Sequence, residues 1–380
     1  VKIVSIEPTP SPHSMKINVD EHLPDGQTRN YKLEDNLDSA PDYIKELFAI
    51  KGVKGIYQVI DFIALERNAR DAWEDILPEV RNVLGSTEEV SESETNGQPK
   101  ADDHFGEIKV FIQQFRGIPV QVKLQDGDNE QRFGLHERFM DATMKASVAT
   151  TNMLMERKWV EQSTRYGDVN EIGRDVVEEL SASYDQERLE ELVKKALSND
   201  ETDSQQPLTQ KKKVTLDMLD TPSWKERYAA LDRMDPSADD LPVLDKAISD
   251  EKASIRRLAT AYLGMIEEPE VLPYLYKALK DKAVNVRRTA GDCLSDLGFQ
   301  EAIPEMIATL SDKSRIVRWR GAMFLYEIGD ETAIPALQQA IDDPEFEVRM
   351  QAKMALARIE GGEKAKGSIW HQMTEATKQK

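Results

Sequence analysis

A single thiol, Cys293, and five scattered histidines (His13, His22, His104, His136, His371) are the main candidates for metal or nucleophilic chemistry in this sequence. One cysteine builds neither a four-thiolate zinc site nor an all-thiolate iron–sulfur site, and it closes no disulfide within the chain. His136-Glu137 opens like a helical metalloprotease pair, but the second histidine would fall at position 140, which is Met140. The sequence contains no G-x-G-x-x-G, no Walker lysine loop and no G-x-S-x-G elbow. Carboxylate pairs carry no information where 70 of 380 residues are Asp or Glu. No catalytic set, cofactor or metal site is therefore assigned, and the expectation is a protein that is not an enzyme.

Charged residues do fall into order elsewhere. Trp224, Ile255, Val286, Val317 and Val348 stand 31 residues apart, and the last four are each followed by arginine (Arg256, Arg287, Arg318, Arg349). Five residues before each of these four stands an aspartate (Asp250, Asp281, Asp312, Asp343), and prolines recur at the same period (Pro242, Pro273, Pro304, Pro335). So do two apolar columns, Leu263, Leu294, Leu325, Leu356 and Ile266, Leu297, Ile328, Ile359. A fixed period of this length marks a stack of structural repeats. Each unit reads as two antiparallel helices, with proline in the first turn of helix A, which ends near the aspartate. Helix B starts at the Ile or Val and carries core residues at offsets 0, 4, 7, 8 and 11, one stripe of a 3.6-residue period. One such pair cannot cover its own apolar face, so neighbours must stack into a continuous core. Cys293 falls in the offset-7 column with Leu231, Tyr262, Phe324 and Ala355, which makes it a small buried hydrophobe.

The spacing of proline, aspartate and arginine resembles HEAT repeats, in the short form also seen in phycobilin lyases. In such stacks an Asp–Arg ladder ties successive repeats together. Offsets 2, 6 and 9 should face away from the core, yet the last two units place Trp319, Met323, Tyr326, Met350 and Met354 there. A solvent-facing cluster of Trp and Met is a candidate partner site. The competing reading is internal cover, by the C-terminal segment with Ile369, Trp370 and Met373 or by the middle domain. Arg257, Arg288 and Arg320 join the candidate partner-binding residues on the presumed concave face.

The preceding chain divides at two polar stretches. Residues 86–105 form an acidic linker; within Ser86 to His104 six acidic residues stand against one lysine. Residues 198–213 form a second linker that ends in Lys211, Lys212 and Lys213, a run read as solvated. The predicted organisation is an α+β N-terminal domain over 1–85, an α+β middle domain over 106–197, HEAT-like repeats over 214–362 and a C-terminal tail over 363–380. In the first domain, strands are expected at Ile3 to Ile6, Lys16 to Val19, Tyr31 to Leu33, Gly55 to Val59 and Phe62 to Leu65. A helix opens at Pro41 and stops at Gly52, and another covers Asp71 to Leu84, both on one face of the sheet. In the middle domain Glu107 to Gln113 and Ile118 to Leu124 predict a hairpin around Gly117. Helices are expected over Gly134 to Glu161, Val169 to Leu180 and Gln186 to Leu197.

Thr9-Pro10-Ser11-Pro12 with Lys16, Leu47-Phe48-Ala49-Ile50 with Gly52-Val53, Ile56-Tyr57, Asp61-Phe62-Ile63, and Trp73 with Leu77-Pro78 resemble the N-terminal domain of Nfu/NifU iron–sulfur scaffold proteins. That family carries its cluster-binding CxxC in a separate C-terminal domain, and with one cysteine here the cluster chemistry does not carry over. This domain, the middle region and the terminal repeats together resemble the conserved virulence factor C family.

A net charge of −20, with a pI near 4.8, disfavours non-specific binding to nucleic acid or an anionic membrane. No apolar run approaches the ~18 residues of a membrane span. The first twenty residues show no signal-peptide pattern, so a cytoplasmic location is expected. The resulting expectation is a scaffold or adaptor that binds a protein partner, with a link to iron–sulfur maturation or virulence regulation implied by the resemblance alone. The alternative is a HEAT-like enzyme acting on nucleic acid or a chromophore. The purified protein is expected to carry no iron–sulfur cluster or zinc; stoichiometric iron and sulfide in an anaerobic preparation would refute this.

Overall fold

A computed structural model describes residues 1–85, 107–198 and 213–362, apart from 10, 12, 25, 26, 69, 128 and 151. The tail 363–380, with Ile369, Trp370 and Met373, and nearly all of both expected linkers lie outside the described residues. The chain divides into two compact units, Val1–Gly106 with Asp126–Asn129, and Glu107–Gln125 with Glu130–Lys380.

The first unit holds a five-stranded antiparallel sheet in the order β1-β2-β5-β4-β3. Its strands are β1 (Ile3–Pro8), β2 (Ser14–Val19), β3 (Thr28–Lys32), β4 (Val53–Val59) and β5 (Phe62–Arg67). Alternation decides which face is covered: Met15, Ile17 and Val19 of β2 and Ile63 and Leu65 of β5 are buried, while the residues between them are not. Helices α1 (Asp42–Ala49) and α2 (Trp73–Leu84) bury Ile44, Leu47 and Phe48, and Trp73, Ile76, Leu77, Val80 and Leu84. Every expected element of this unit is present.

The second unit begins with a four-stranded sheet in the order β8-β7-β6-β9, from β6 (Glu107–Phe115), β7 (Ile118–Asp126), β8 (Asn129–Gly134) and β9 (Lys158–Tyr166). The expected hairpin is β6–β7, with Phe115 opposite Ile118 and a two-residue turn of Arg116 (φ 47°) and Gly117 (φ 80°). Positive φ at both central residues matches the turn to the strand twist, which explains the glycine. Around the sheet lie α3 (Glu137–Ser147), α4 (Met153–Glu156), α5 (Val169–Ser183) and α6 (Gln186–Leu197). Helix α5 packs Ile172, Val176 and Leu180 on Ile108, Val110, Ile112, Val122 and Leu124. Helices α3 and α6 close over Phe115 and Ile118.

The helix expected over Gly134 to Glu161 is not continuous. After α3 and the single turn of α4 the chain becomes strand β9, antiparallel to β6. β9 is an edge strand with no fully buried residue, so its backbone pairing left no alternating apolar trace to read.

The repeats follow the predicted register. Helix α7 (Trp224–Leu231) caps the stack; then come pairs α8 (Leu241–Ala247) and α9 (Ala253–Leu263), α10 (Leu272–Ala278) and α11 (Val284–Leu297), α12 (Ile303–Thr309) and α13 (Arg315–Glu327), and α14 (Ile334–Ala340) and α15 (Phe346–Glu360). Each first helix has its proline in the first turn, entered through a short 3-10 turn. One core runs through the stack and includes Ile255, Ala259, Leu263, Val286, Ala290, Leu294, Leu325, Ala352, Ala355 and Ile359. Cys293 is buried in it, and Gly264 is required by its approach, because a Cβ there would lie 2.3 Å from the sulfur. Burial raises the thiol pKa, so the group is an inert hydrophobe.

The Asp–Arg columns form the ladder. Arg227, Arg256, Arg287 and Arg318 each meet the aspartate of the following turn (Asp250, Asp281, Asp312, Asp343) through two hydrogen bonds, Nε to Oδ2 at 2.6–2.7 Å and Nη2 to Oδ1 at 2.9–3.1 Å.

Replacing the fully buried Leu294 by Asp places an unpaired carboxylate in this core. A loss of at least ~3 kcal/mol is expected in the unfolding transition of the second unit. A transition that barely moves would refute the register.

Candidate partner-binding face

The offset-2 side of the helix B row carries the residues singled out from sequence, but it is not open to solvent. Trp319 and Met323 on α13 are 2% and 1% exposed, which agrees with the reading of internal cover and not with that of a solvent-facing cluster. Tyr326 is half-buried against the repeat core, and Met350 and Met354 on α15 are half-buried. The reason is visible around Trp319. Arg288 of α11 and Arg320 of α13 each place a guanidinium 5.7 Å from its ring centre. Arg288 also lies 4.9 Å from the Tyr166 ring at the end of β9, and donates to the Tyr166 hydroxyl at 3.3 Å. A guanidinium thus joins an aromatic ring of the middle domain to one of the repeats, a geometry in which cation–π attraction gains from desolvation. Asp292, one turn along α11, pairs with Arg288 and sits 2.5 Å from Arg320.

A second contact lies one repeat earlier. Glu179 of α5 receives Arg165 of β9 at 2.6 Å and Arg257 of α9 at 3.4 Å, and the Ser254 hydroxyl also donates to it. Burial alone would raise this carboxyl, but the Arg257 and Arg165 guanidiniums outweigh it and hold the pKa at about 2. Helix α5 also contributes Ala182 to the core of the repeats. The middle domain and the repeats therefore share packing as well as charge.

Arg288, Trp319 and Arg320 thus come together, Arg257 belongs to the separate Glu179 contact, Met323 and Tyr326 lie on the same helix as Trp319, and Met350 and Met354 lie one repeat further along the stack. All three arginines face carboxylates or rings of this same chain. Sequence reasoning missed Tyr166, Glu179, Arg165 and Asp292. Only Asp292 had a local signal, four residues after Arg288 on one helix. Charge reversal at Arg288, a mild surface change if the face were open, becomes a buried one at 3% exposure. Beyond Arg320, burial lifts the Glu327 carboxyl to about 7 despite Arg320, with Asp296 adding to the rise. Among the described residues no group of His, Cys, Asp and Glu could hold a metal ion, and no helix is long and apolar enough to cross a membrane.

The architecture agrees with known families. Residues 4–90 match the scaffold protein Nfu/NifU N-terminal family, residues 113–193 a virulence factor family, and residues 213–290 and 275–357 HEAT repeats. YpgR of Bacillus subtilis is 59% identical over 100% of this chain and 99% of its own length. Conserved virulence factor C of Staphylococcus aureus strain MRSA252 is 47% identical, over 99% of this chain and 100% of that one. Among solved structures, protein SAV1430 of Staphylococcus aureus is 36% identical over 22% of this chain and 98% of its own, with a TM-score of 0.21.

The Glu179 contact makes a pH prediction. Its pKa is about 2 when folded against an ordinary value near 4.5, so its contribution is complete above ~4.5 and is lost as pH falls towards 2. The expected loss is roughly 3 kcal/mol, read as a fall in the melting temperature of the second unit. In Glu179→Gln that part of the acid dependence should vanish, and an unaltered pH profile would refute the assignment.

Proposed function

The chain belongs to the conserved virulence factor C family, and from that premise we propose that it is a non-enzymatic scaffold or adaptor that holds a protein partner on its repeats. One observation carries the reading. The helix B face already grips a folded domain, through Arg257 on Glu179 and Arg288 between Tyr166 and Trp319, so these repeats act as a holder. The guanidiniums that a nucleic-acid or chromophore enzyme would need at this face are engaged by Glu179 and Asp292. With a net charge of −20, a protein is favoured over nucleic acid as the partner.

The contact region we assign to the partner is the α15 end of the same face, where Met350 and Met354 keep part of their surface exposed and Met packs adaptably. The Nfu/NifU-type N-terminal unit supports a place in iron–sulfur protein maturation, and the name of the staphylococcal relatives supports a place in virulence regulation. In either setting the chain handles a client in the cytoplasm and carries no cluster, because its one thiol is buried.

Affinity capture from an extract of the host, followed by peptide identification, tests this. Met350→Glu with Met354→Glu should leave the melting temperature within about 2 °C and lose the captured partner, since anchor side chains are worth ~2 kcal/mol or more each. The same proteins recovered by both forms would overturn the assignment.

A further inference from the structure

Among the described residues, helix α3 leaves one face without a packing partner. Phe139, Ala142 and Ala146 point into the middle-domain core, while Met140, Met144 and Val148 are 65%, 60% and 82% exposed. These three repeat every fourth residue and make a straight ridge about 12 Å long. The short α4 follows in the chain. Met153 packs into the same cluster as Phe139 and Ala146, while Leu154 and Met155 are turned outward and exposed. Single exposed apolar residues are ordinary on a protein surface, whereas five within sixteen positions call for an occupant.

The charges beside the ridge indicate the occupant. Asp141 and Lys145 each follow a ridge methionine by one position and so lie on the same flank. Both are exposed, and among the described residues neither makes an ion pair, with each other or with any neighbour. A flank that reads acid then base four residues later is complementary to its own reversed copy. We propose that α3 is a self-association surface, on which two copies of this chain pack their α3 helices antiparallel about a two-fold axis that crosses the exposed ridge between Met140 and Met144. Met144 then sits between the partner's Met140 and the partner's Met144, ridge into groove. Asp141 meets the partner's Lys145, and the symmetry makes that pair twice. One helix pair with its α4 flanks lies at the small end of specific interfaces, so the dimer is expected to dissociate at about micromolar concentration. This inference is independent of the Met350 and Met354 reading.

Sedimentation velocity of the full chain over about two decades of concentration tests it. The expected result is a monomer–dimer equilibrium. Met144→Glu should raise its dissociation constant by about a hundredfold or more without changing the melting temperature, because the side chain touches little within the monomer. Asp141→Lys alone and Lys145→Asp alone should each weaken the dimer, by about three- to tenfold. The double swap, Asp141→Lys with Lys145→Asp, should restore it, because each new charge again meets its opposite across the axis. A monomer at every concentration, or a dimer indifferent to Met144→Glu, overturns the proposal. A swap that fails to restore association overturns the antiparallel pairing.

Discussion

One guanidinium per repeat fixes the geometry of the stack. In each B helix the arginine after the repeated Ile or Val donates through Nη1 to the carbonyl of its own turn, as Arg256 does to Asp250 and Arg287 to Asp281, both at 2.9 Å. In Arg256, Arg287 and Arg318 the other two nitrogens grasp the aspartate of the next turn, and that aspartate also accepts the backbone amide two residues on, at 2.7 Å for both Ala283 and Ser314. A planar fork serving three acceptors at fixed angles allows one rotation between neighbours. Replacing such a buried pair by packed apolar residues costs little, but removing one partner strands a charge, so the ladder specifies register more than it adds net stability.

With the register fixed, the residues at offsets 2 and 3 form a row of known spacing. The middle domain docks on that row, with Glu179 at the first full repeat and Tyr166 at the second. The row's cations are used inside the unit, and Asp292 absorbs the two that Glu179 does not reach. The docked domain keeps its own sheet core, distinct from that of the repeats, with α5 packed on both.

The repeats were readable in the sequence because every unit restates the same constraint, so the columns at Leu294 or Asp312 reinforce one another. The β6–β7 hairpin was readable because two positive-φ residues between alternating strands leave a local mark. β9 was not, since an edge strand is held by backbone bonds that any side chain tolerates. The docking face was half readable. Position along helix B correctly set Trp319 away from the repeat core, but solvent exposure does not follow from that. The contacts that bury the face join residues 78 and 122 positions apart, and neither Glu179 nor Tyr166 belongs to a repeating column.

Polar satisfaction along the stack is incomplete. The ladder arginines and their aspartates meet with short bonds throughout, but in the docking row Nε of Arg257, of Arg288 and of Arg320 has no acceptor among the described residues. Gln351 is fully buried with neither amide atom hydrogen-bonded among the described residues, and one oxygen of the buried Glu327 is likewise without a donor. Each such group costs about 1–3 kcal/mol relative to a satisfied one. A carboxyl whose pKa is lifted from about 4.5 to about 7 adds a pH-dependent part, since ionising it above 7 inside the fold is less favourable than in the unfolded chain. Each repeat thus leaves a polar group of the docking row incompletely satisfied, Arg257, Arg288, Arg320 and Gln351 in turn, and at α15 that group follows the half-covered Met350.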